Sequence, residues 1–493
     1  MLFNPDAIEN KNKYIDRILG SLDQLHKVLG RHLSDNYEIV QLNRVWNPGG
    51  GSTLFKVTTS ENSYLLKVKY KRVWVESRLE CEEDYSMKPS LLNEYEFLTM
   101  LPKDLVPEVL FYEENGDFSF LALEWLDTFK DATSSMTAPE LFKAWEKIND
   151  FVFLLFSKGI VHTDIHEHNI CFRDKTPVLI DFEEARFLKQ ELSFGSSLDY
   201  LGVNQYGNVG EFPSVDDGVK GLTCLKRLSL VFKSLILDRL PEFIEQCNFD
   251  DTCSFNLDEL QKPDQRTYQS IVFPGLNIQG QRPVLDARVL IFQYLLLKQG
   301  TKKKAIRHLD IGSNLGMFCV KAAAFPFVEE SMGVEAYGEF ATLAQILSFL
   351  YDVKKTKYFK FICGSDRLIS LSPRIDFITV LSVYHHISQK DEFLEDLKML
   401  KPGLIMGEFA TQDRYYHERG SLEKELQYIK EKTGYDNYEV IAVTQDYQRP
   451  IVIFSSKKVS LFDKIYIRLL NSKYNQYGLK MLSLYQKLFY GKG

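Results

Sequence analysis

Beyond a predicted helix at 284–299, the chain alternates short apolar runs with helical stretches. RHLDIG, SMGVEAY, YFKFICG, DFITVLS and LIMGEF are the runs. Such alternation predicts a parallel sheet with crossover helices. YEVIAVTQD and RPIVIFSS then read as a closing hairpin. The first half follows a different rhythm: a leading helix over 10–34, strands over about 37–70, a helix over roughly 88–101 and short strands to about 126. Helices at 139–159, a tight hairpin over 160–182 and helices over 216–247 complete it.

With 493 residues the chain exceeds what one core can bury. The polar stretch FDDTCSFNLDELQKPDQR at 248–266 is the best boundary, giving domains at 1–250 and 251–456 and a tail at 457–493. The net charge of -7 argues against general affinity for nucleic acid, and no such partner is expected. Seven scattered cysteines fit reduced thiols rather than a disulfide framework or a zinc clamp. The N-terminus lacks a signal-peptide pattern, and no apolar run approaches the roughly 20 residues that span a bilayer. The expected location is the cytoplasm.

The segment VHTDIHEHNICFRDKTPVLIDFEEAR carries the most chemistry in the first half. Phosphoryl transfer needs a carboxylate to receive the acceptor hydroxyl's proton, and an amide and a second carboxylate to hold magnesium against the phosphates. Asp164 supplies the first, with Asn169 and Asp181 as metal ligands. Upstream, Gly49, Gly50, Gly51 and Ser52 sit between strands, where backbone amides can approach phosphate. Lys67 suits the α- and β-phosphates, and Lys69 shares its face by strand alternation. Glu94 is the ion-pair partner, with Glu96 second, and Glu124 opens the adenine-binding linker. HTDIHEHN and IDFEEAR resemble the catalytic and magnesium segments of small-molecule kinases, the aminoglycoside phosphotransferases and lipopolysaccharide sugar kinases, over about 40–245. Asp-Phe-Glu in place of Asp-Phe-Gly, and the lack of an Ala-Pro-Glu segment, point to a sugar or other small hydroxyl acceptor rather than a protein.

In the second half, HLDIGSNLGMF puts Asp310, Gly312, Asn314 and Gly316 at a strand–turn–helix junction, where backbone can approach a nucleoside. Glu335 ends the next strand and suits ribose hydroxyls. The nucleotide at such a turn could be NAD, but Asn314 replaces the glycine that a pyrophosphate demands. Asp366 follows the third strand, where an Asp can take the adenine amino group, and VLSVYHHI brings His385 and His386 to the cleft mouth. The set resembles class I S-adenosylmethionine-dependent methyltransferases over roughly 268–456, whose sheets end in such a hairpin. The lead-in YQSIVFPGLNIQGQRPVLDARVL is similar to one in which a Gln-Arg pair, here Gln281 and Arg282, reaches the active site.

The tail holds eight Lys or Arg against one acid, Asp463, with Leu461, Phe462, Ile465 and Leu469 at near-helical spacing. It reads as a basic amphipathic helix that either lies on an anionic membrane or docks on the protein's own core. The fold class is multidomain: a two-lobed α+β kinase-like domain, an α/β Rossmann-like methyltransferase domain and a helical tail. This content resembles the bifunctional kinase–methyltransferases that cap bacterial O-antigen polysaccharides. The resemblance implies ATP, Mg2+ and S-adenosylmethionine, a saccharide acceptor, a glycosyltransferase partner and peripheral contact with the inner membrane. The domain order is reversed here and no heptad coiled coil follows. Two alternatives remain: an enzyme tailoring a small metabolite, or a methyltransferase whose kinase-like half only recognises a ligand.

Overall fold

The computed structural model describes residues 22–33, 36–42, 52–70, 91–116, 118–162, 164–187, 216–247, 267–269, 271–273, 276–278, 280–282, 287–303, 305–411, 420–444 and 448–471. Its contacts divide the chain into Met1–Arg239 and Leu240–Gly493. That division falls inside a long helix, Asp216–Gln246; the stretch 248–266 lies outside the described residues.

The first unit begins with helix α1 (Leu22–His32) and strand β1 (Tyr37–Gln41), then β2 (Thr53–Thr59) and β3 (Ser63–Tyr70). Helix α2 (Leu92–Met100) and strands β4 (Val109–Asn115) and β5 (Phe118–Glu124) follow. The strands form one antiparallel sheet in the order β1-β2-β3-β5-β4. The two-residue period turns Phe55, Val57, Leu66 and Val68 toward Leu25, Val28 and Leu29 of α1. Lys67 and Lys69 are thereby turned to the opposite face.

Helices α3 (Phe129–Ser134) and α4 (Ala138–Ser157) come next. Glu140 accepts from the Thr137 N–H at 2.9 Å and caps α4. This helix buries Leu141, Trp145, Ile148 and Val152 along one stripe. Phe232, in the long helix, packs edge-on to Phe129. A hairpin of Ile170–Arg173 and Thr176–Leu179 carries the loop of interest at its base.

In the second unit, the seven strands are Ile306–Ile311, Val328–Glu335, Thr356–Lys360, Phe377–Leu381, Leu404–Glu408, Asn437–Val443 and Pro450–Ser455, labelled β6 to β12. Their order is β8-β7-β6-β9-β10-β12-β11, parallel throughout except β12, which runs antiparallel to both neighbours. Every residue of β9 and β10 is buried, as expected of strands covered on both faces. The chain order reverses beside β6, and in open α/β sheets ligands bind at such a switch point, outside the carboxyl ends of the strands. The lead-in before the sheet forms two small strand pairs, 267–269 with 280–282 and 271–273 with 276–278.

The tail's described part departs from the expected apolar stripe. Helix Leu461–Leu470 buries Tyr466, Ile467 and Leu470, whereas Leu461, Phe462 and Ile465 are 74%, 67% and 60% exposed. Asp463 fixes this orientation: it is buried and accepts from Ser460, Tyr294 and Lys298. Residues 472–493 lie outside the described residues. Among the described residues, no helix is long and apolar enough to cross a membrane.

Candidate active sites on the two units

Lys67 and Glu94 meet because β3 and α2 present them to each other across the sheet's second face. The Lys67 ammonium donates to Glu94 at 2.7 Å and to Asp181 at 2.9 Å. Lys67, rather than Lys69, therefore bridges helix and metal loop, and Glu94 is fully buried while Glu96 is exposed. Burial works against the lysine's charge, but Asp181, Glu94 and Glu183 outweigh it and raise its pKa. Burial likewise opposes the Asp181 charge, and Lys67 overcomes it, so this carboxyl titrates below its ordinary range.

Asp181 adopts left-handed backbone, φ 66°, and the turn behind it is fixed by Asn93, whose amide donates to the carbonyls of Phe182, Glu183 and Ala185. In the preceding loop the Asn169 amide donates to the Asp164 carboxylate at 3.0 Å and to its carbonyl at 2.9 Å. Asp164 itself stays half exposed, 51%, where an acceptor hydroxyl can reach it. His162 is buried against the Ile180 carbonyl at 2.9 Å, and burial lowers its pKa. It serves the loop as a neutral brace.

Glu94, Asp181 and Glu183 bring carboxylate oxygens within 4.8 Å of one another. Lys67 and Lys69 answer them, and burial pushes the Glu94 carboxyl up to about 7. Hard oxygen donors of this kind suit Mg2+, and Asp181 and Asn169 are the residues that would hold it. Gly50 and Gly51 lie outside the described residues, although Ser52 is described. The Glu124 side chain is tied to Arg173 and to the Glu108 N–H, and its backbone N–H donates to the Glu108 carbonyl.

In the second unit, the turn after β6 is held on β7 by bonds from the Gly312 and Ser313 N–H groups to the Val334 carbonyl. Gly312 and Gly316 have φ +70° and +79°, and Asn314 shares the left-handed region at 48°. A Cβ at Gly316 would lie 2.4 Å from the Tyr358 hydroxyl. Glu335 accepts from the Asn314 N–H at 2.8 Å, and burial raises its pKa. Ser313 Oγ and Asn314 Oδ1 are buried without a hydrogen-bond partner. Ser313 Oγ packs against Gly333, and the unpartnered Asn314 Oδ1 beside a left-handed glycine backbone fits the nucleoside of S-adenosylmethionine.

Asp310 is buried beneath this turn, and its carboxyl is pushed up to about 7 by burial. Asp366 is exposed and accepts from the Ile362 N–H at 2.7 Å, so its carboxylate shapes the loop. The nearby Cys363 thiol is pushed up to about 12 by burial, then by Glu335, Asp366 and Asp396.

His385 and His386 stand on a short turn after β9, with ring centroids 4.0 Å apart. Burial, then His386, Arg449 and Lys390, push His385 down to about 3, and it is neutral near pH 7. Ser382, with left-handed φ 59°, donates to Glu408 at 2.5 Å. Arg288 is buried against Glu408 at 3.1 Å. The backbone of Arg282 closes the small strand pair with 267–269, and its side chain lies outside the described residues.

The pairing of Lys69, named as the alternative to Lys67, with Glu183 escaped the sequence reading, as did Glu408 and Arg449 beside the second turn. Glu408 ends a parallel strand at the sheet's carboxyl edge, a usable signal. Arg449 follows no motif.

No curated protein matches this chain. Among solved structures, a SAM dependent methyltransferase from Aquifex aeolicus is similar at 17% identity with a TM-score of 0.27, over 34% of this chain and 91% of that one. WbdD is similar at 19% identity and a TM-score of 0.31, over 41% of this chain and 46% of that one. The reading of the second unit rests on its own strand order and turn. The phosphotransferase enzyme family matches residues 122–187, and the stretch holding Asp164, Asn169 and Asp181 is similar to that family.

Proposed function

We propose that this chain is a bifunctional kinase and S-adenosylmethionine-dependent methyltransferase, with its kinase domain over 1–250 and its methyltransferase domain over 251–456. The observation that carries it is Lys67, bonded at once to Glu94 and Asp181, on a chain whose other unit cradles a nucleoside. In the kinase half Lys67 orients the phosphates, Asp181 and Asn169 hold Mg2+, and Asp164 accepts the proton of the attacking hydroxyl. The acceptor is a saccharide, and ATP is the phosphoryl donor.

In the second half, bound S-adenosylmethionine supplies an electrophilic methyl group. Gly312, Asn314, Gly316 and Glu335 position it, Asp366 shapes the adenine side, and we assign His385, His386 and Arg282 to the acceptor. A base held at about 3 is poor at taking a hydroxyl proton. An acceptor that is already anionic needs none, and Arg449 lies near enough to both histidines to lower their pKa. These facts favour methylation of the phosphate newly added by the kinase half, through positioning alone.

The product is a capped, non-extendable sugar terminus such as that of an O-antigen polysaccharide, with a polymerising glycosyltransferase as partner. The exposed Leu461, Phe462 and Ile465 support peripheral contact with the cytoplasmic face of an anionic inner membrane. To test the sequence of events, the full chain is given saccharide, ATP with Mg2+, and methyl-labelled S-adenosylmethionine. Label should enter only when ATP is present. Equal labelling without ATP overturns the order.

A further inference from the structure

A second ion pair stands beside Lys67. Lys69, two residues along the same face of β3, is only 6% exposed and donates to Glu183 at 2.5 Å. The other oxygen of Glu183 accepts the Ser52 hydroxyl at 2.6 Å and lies 3.5 Å from Lys67. Glu183 thus sits among two ammonium groups and a hydroxyl, in the position of the Asp-Phe-Glu segment where a glycine would leave open space.

We infer that Ser52, Lys67 and Lys69 form one subsite for the triphosphate, and that Glu183 fills it when nucleotide is absent, so that Lys69 is a second phosphate-binding cation. The assignment rests on the kinase reading above. A carboxylate held by an ammonium and a hydroxyl offers those donors the charge and lone pairs of a phosphoryl oxygen. Two buried lysines in one subsite would repel each other without an anion between them, and Glu183 is that anion in the empty enzyme. Incoming phosphate competes with it for both donors. Because the Glu183 and Asp181 carboxylates lie against these same donors, ATP without a divalent cation meets their charge, and Glu183 makes nucleotide binding depend on the cation.

A mere tether between the Ser52 strand and the metal loop would alter stability but not the ratio of affinities with and without magnesium. That ratio is the readout. Titration calorimetry of the full chain is run with ATP plus Mg2+, and with ATP plus EDTA, on wild type, K69M, E183Q and K69M/E183Q. The double variant leaves no unpaired buried charge and guards against misfolding of K69M. E183Q is expected to bind magnesium-free ATP about tenfold more tightly than wild type, and K69M/E183Q to bind MgATP about tenfold more weakly than E183Q. Magnesium-free affinity unchanged by E183Q, or MgATP affinity equal in E183Q and K69M/E183Q, overturns the subsite while K67M still shows whether the kinase reading stands. A wild-type chain that binds no MgATP removes both.

Discussion

Thr379 donates its hydroxyl to Asp310 Oδ1 at 2.5 Å, joining β9 to β6 beneath the glycine turn. The same hydroxyl lies 3.0 Å from His308 Nε2, and His308 Nδ1 lies 2.8 Å from Ser331 Oγ. Burial holds His308 at about 3, so the ring is neutral and carries one proton. With Asp310 ionised, Thr379 gives its proton to the carboxylate and accepts from His308 Nε2; with Asp310 protonated, the chain can run the other way. Three neighbouring strands are linked by this chain, and it ends on the carboxyl pushed up to about 7.

Asp310 makes stability depend on pH. Its ordinary value is 3.8 and its folded value about 7, so between these the folded chain holds more protons than the unfolded one. Stability falls as pH rises through that window and levels off above it, by on the order of 4 kcal/mol. Urea unfolding at pH 5 and pH 8 should show about 3 kcal/mol of this loss in wild type and much less in D310N. Equal losses in both would contradict the assignment.

Gly316 admits no side chain. An alanine there must hold φ +79° and place its Cβ against the Tyr358 hydroxyl, at a cost on the order of 3 kcal/mol. G316A should unfold at lower urea and lose S-adenosylmethionine binding in calorimetry, with MgATP binding retained.

Arg288 and Glu408 form a buried pair. Removing the cation leaves a buried carboxylate, and R288M should lose about 3–5 kcal/mol. R288M/E408Q should recover part of it, as read by the same unfolding curves.

Asp164 is expected to act in turnover only. D164N should lower kcat for phosphoryl transfer by roughly 10²- to 10⁴-fold and leave MgATP affinity within a few-fold of wild type. A proportional loss of affinity would reassign Asp164 to nucleotide binding.

The sheet of the second unit is legible because buried parallel strands read as continuous apolar runs, as in FITVL of β9. Asp164, Asn169 and Asp181 are legible because one short loop and hairpin hold all three. The choice between Lys67 and Lys69 is not, since strand alternation turns both to one face and only the distance to Glu94 separates them. Arg288 is separated from Glu408 by 120 residues and Lys69 from Glu183 by 114. No local pattern announces such pairs. The helix Leu461–Leu470 left its two readings open for another reason: it is apolar on two faces, and the inward one is chosen by Asp463 meeting Tyr294 and Lys298 of a distant helix.

Two separate ligand sites on one chain are the centre of this account, and titration calorimetry of the purified full chain measures them directly. MgATP and S-adenosylmethionine should each bind once per chain, with D181N abolishing only the first and G316A only the second. Absence of either binding event in the wild type, or loss of both in a single folded variant, would contradict it.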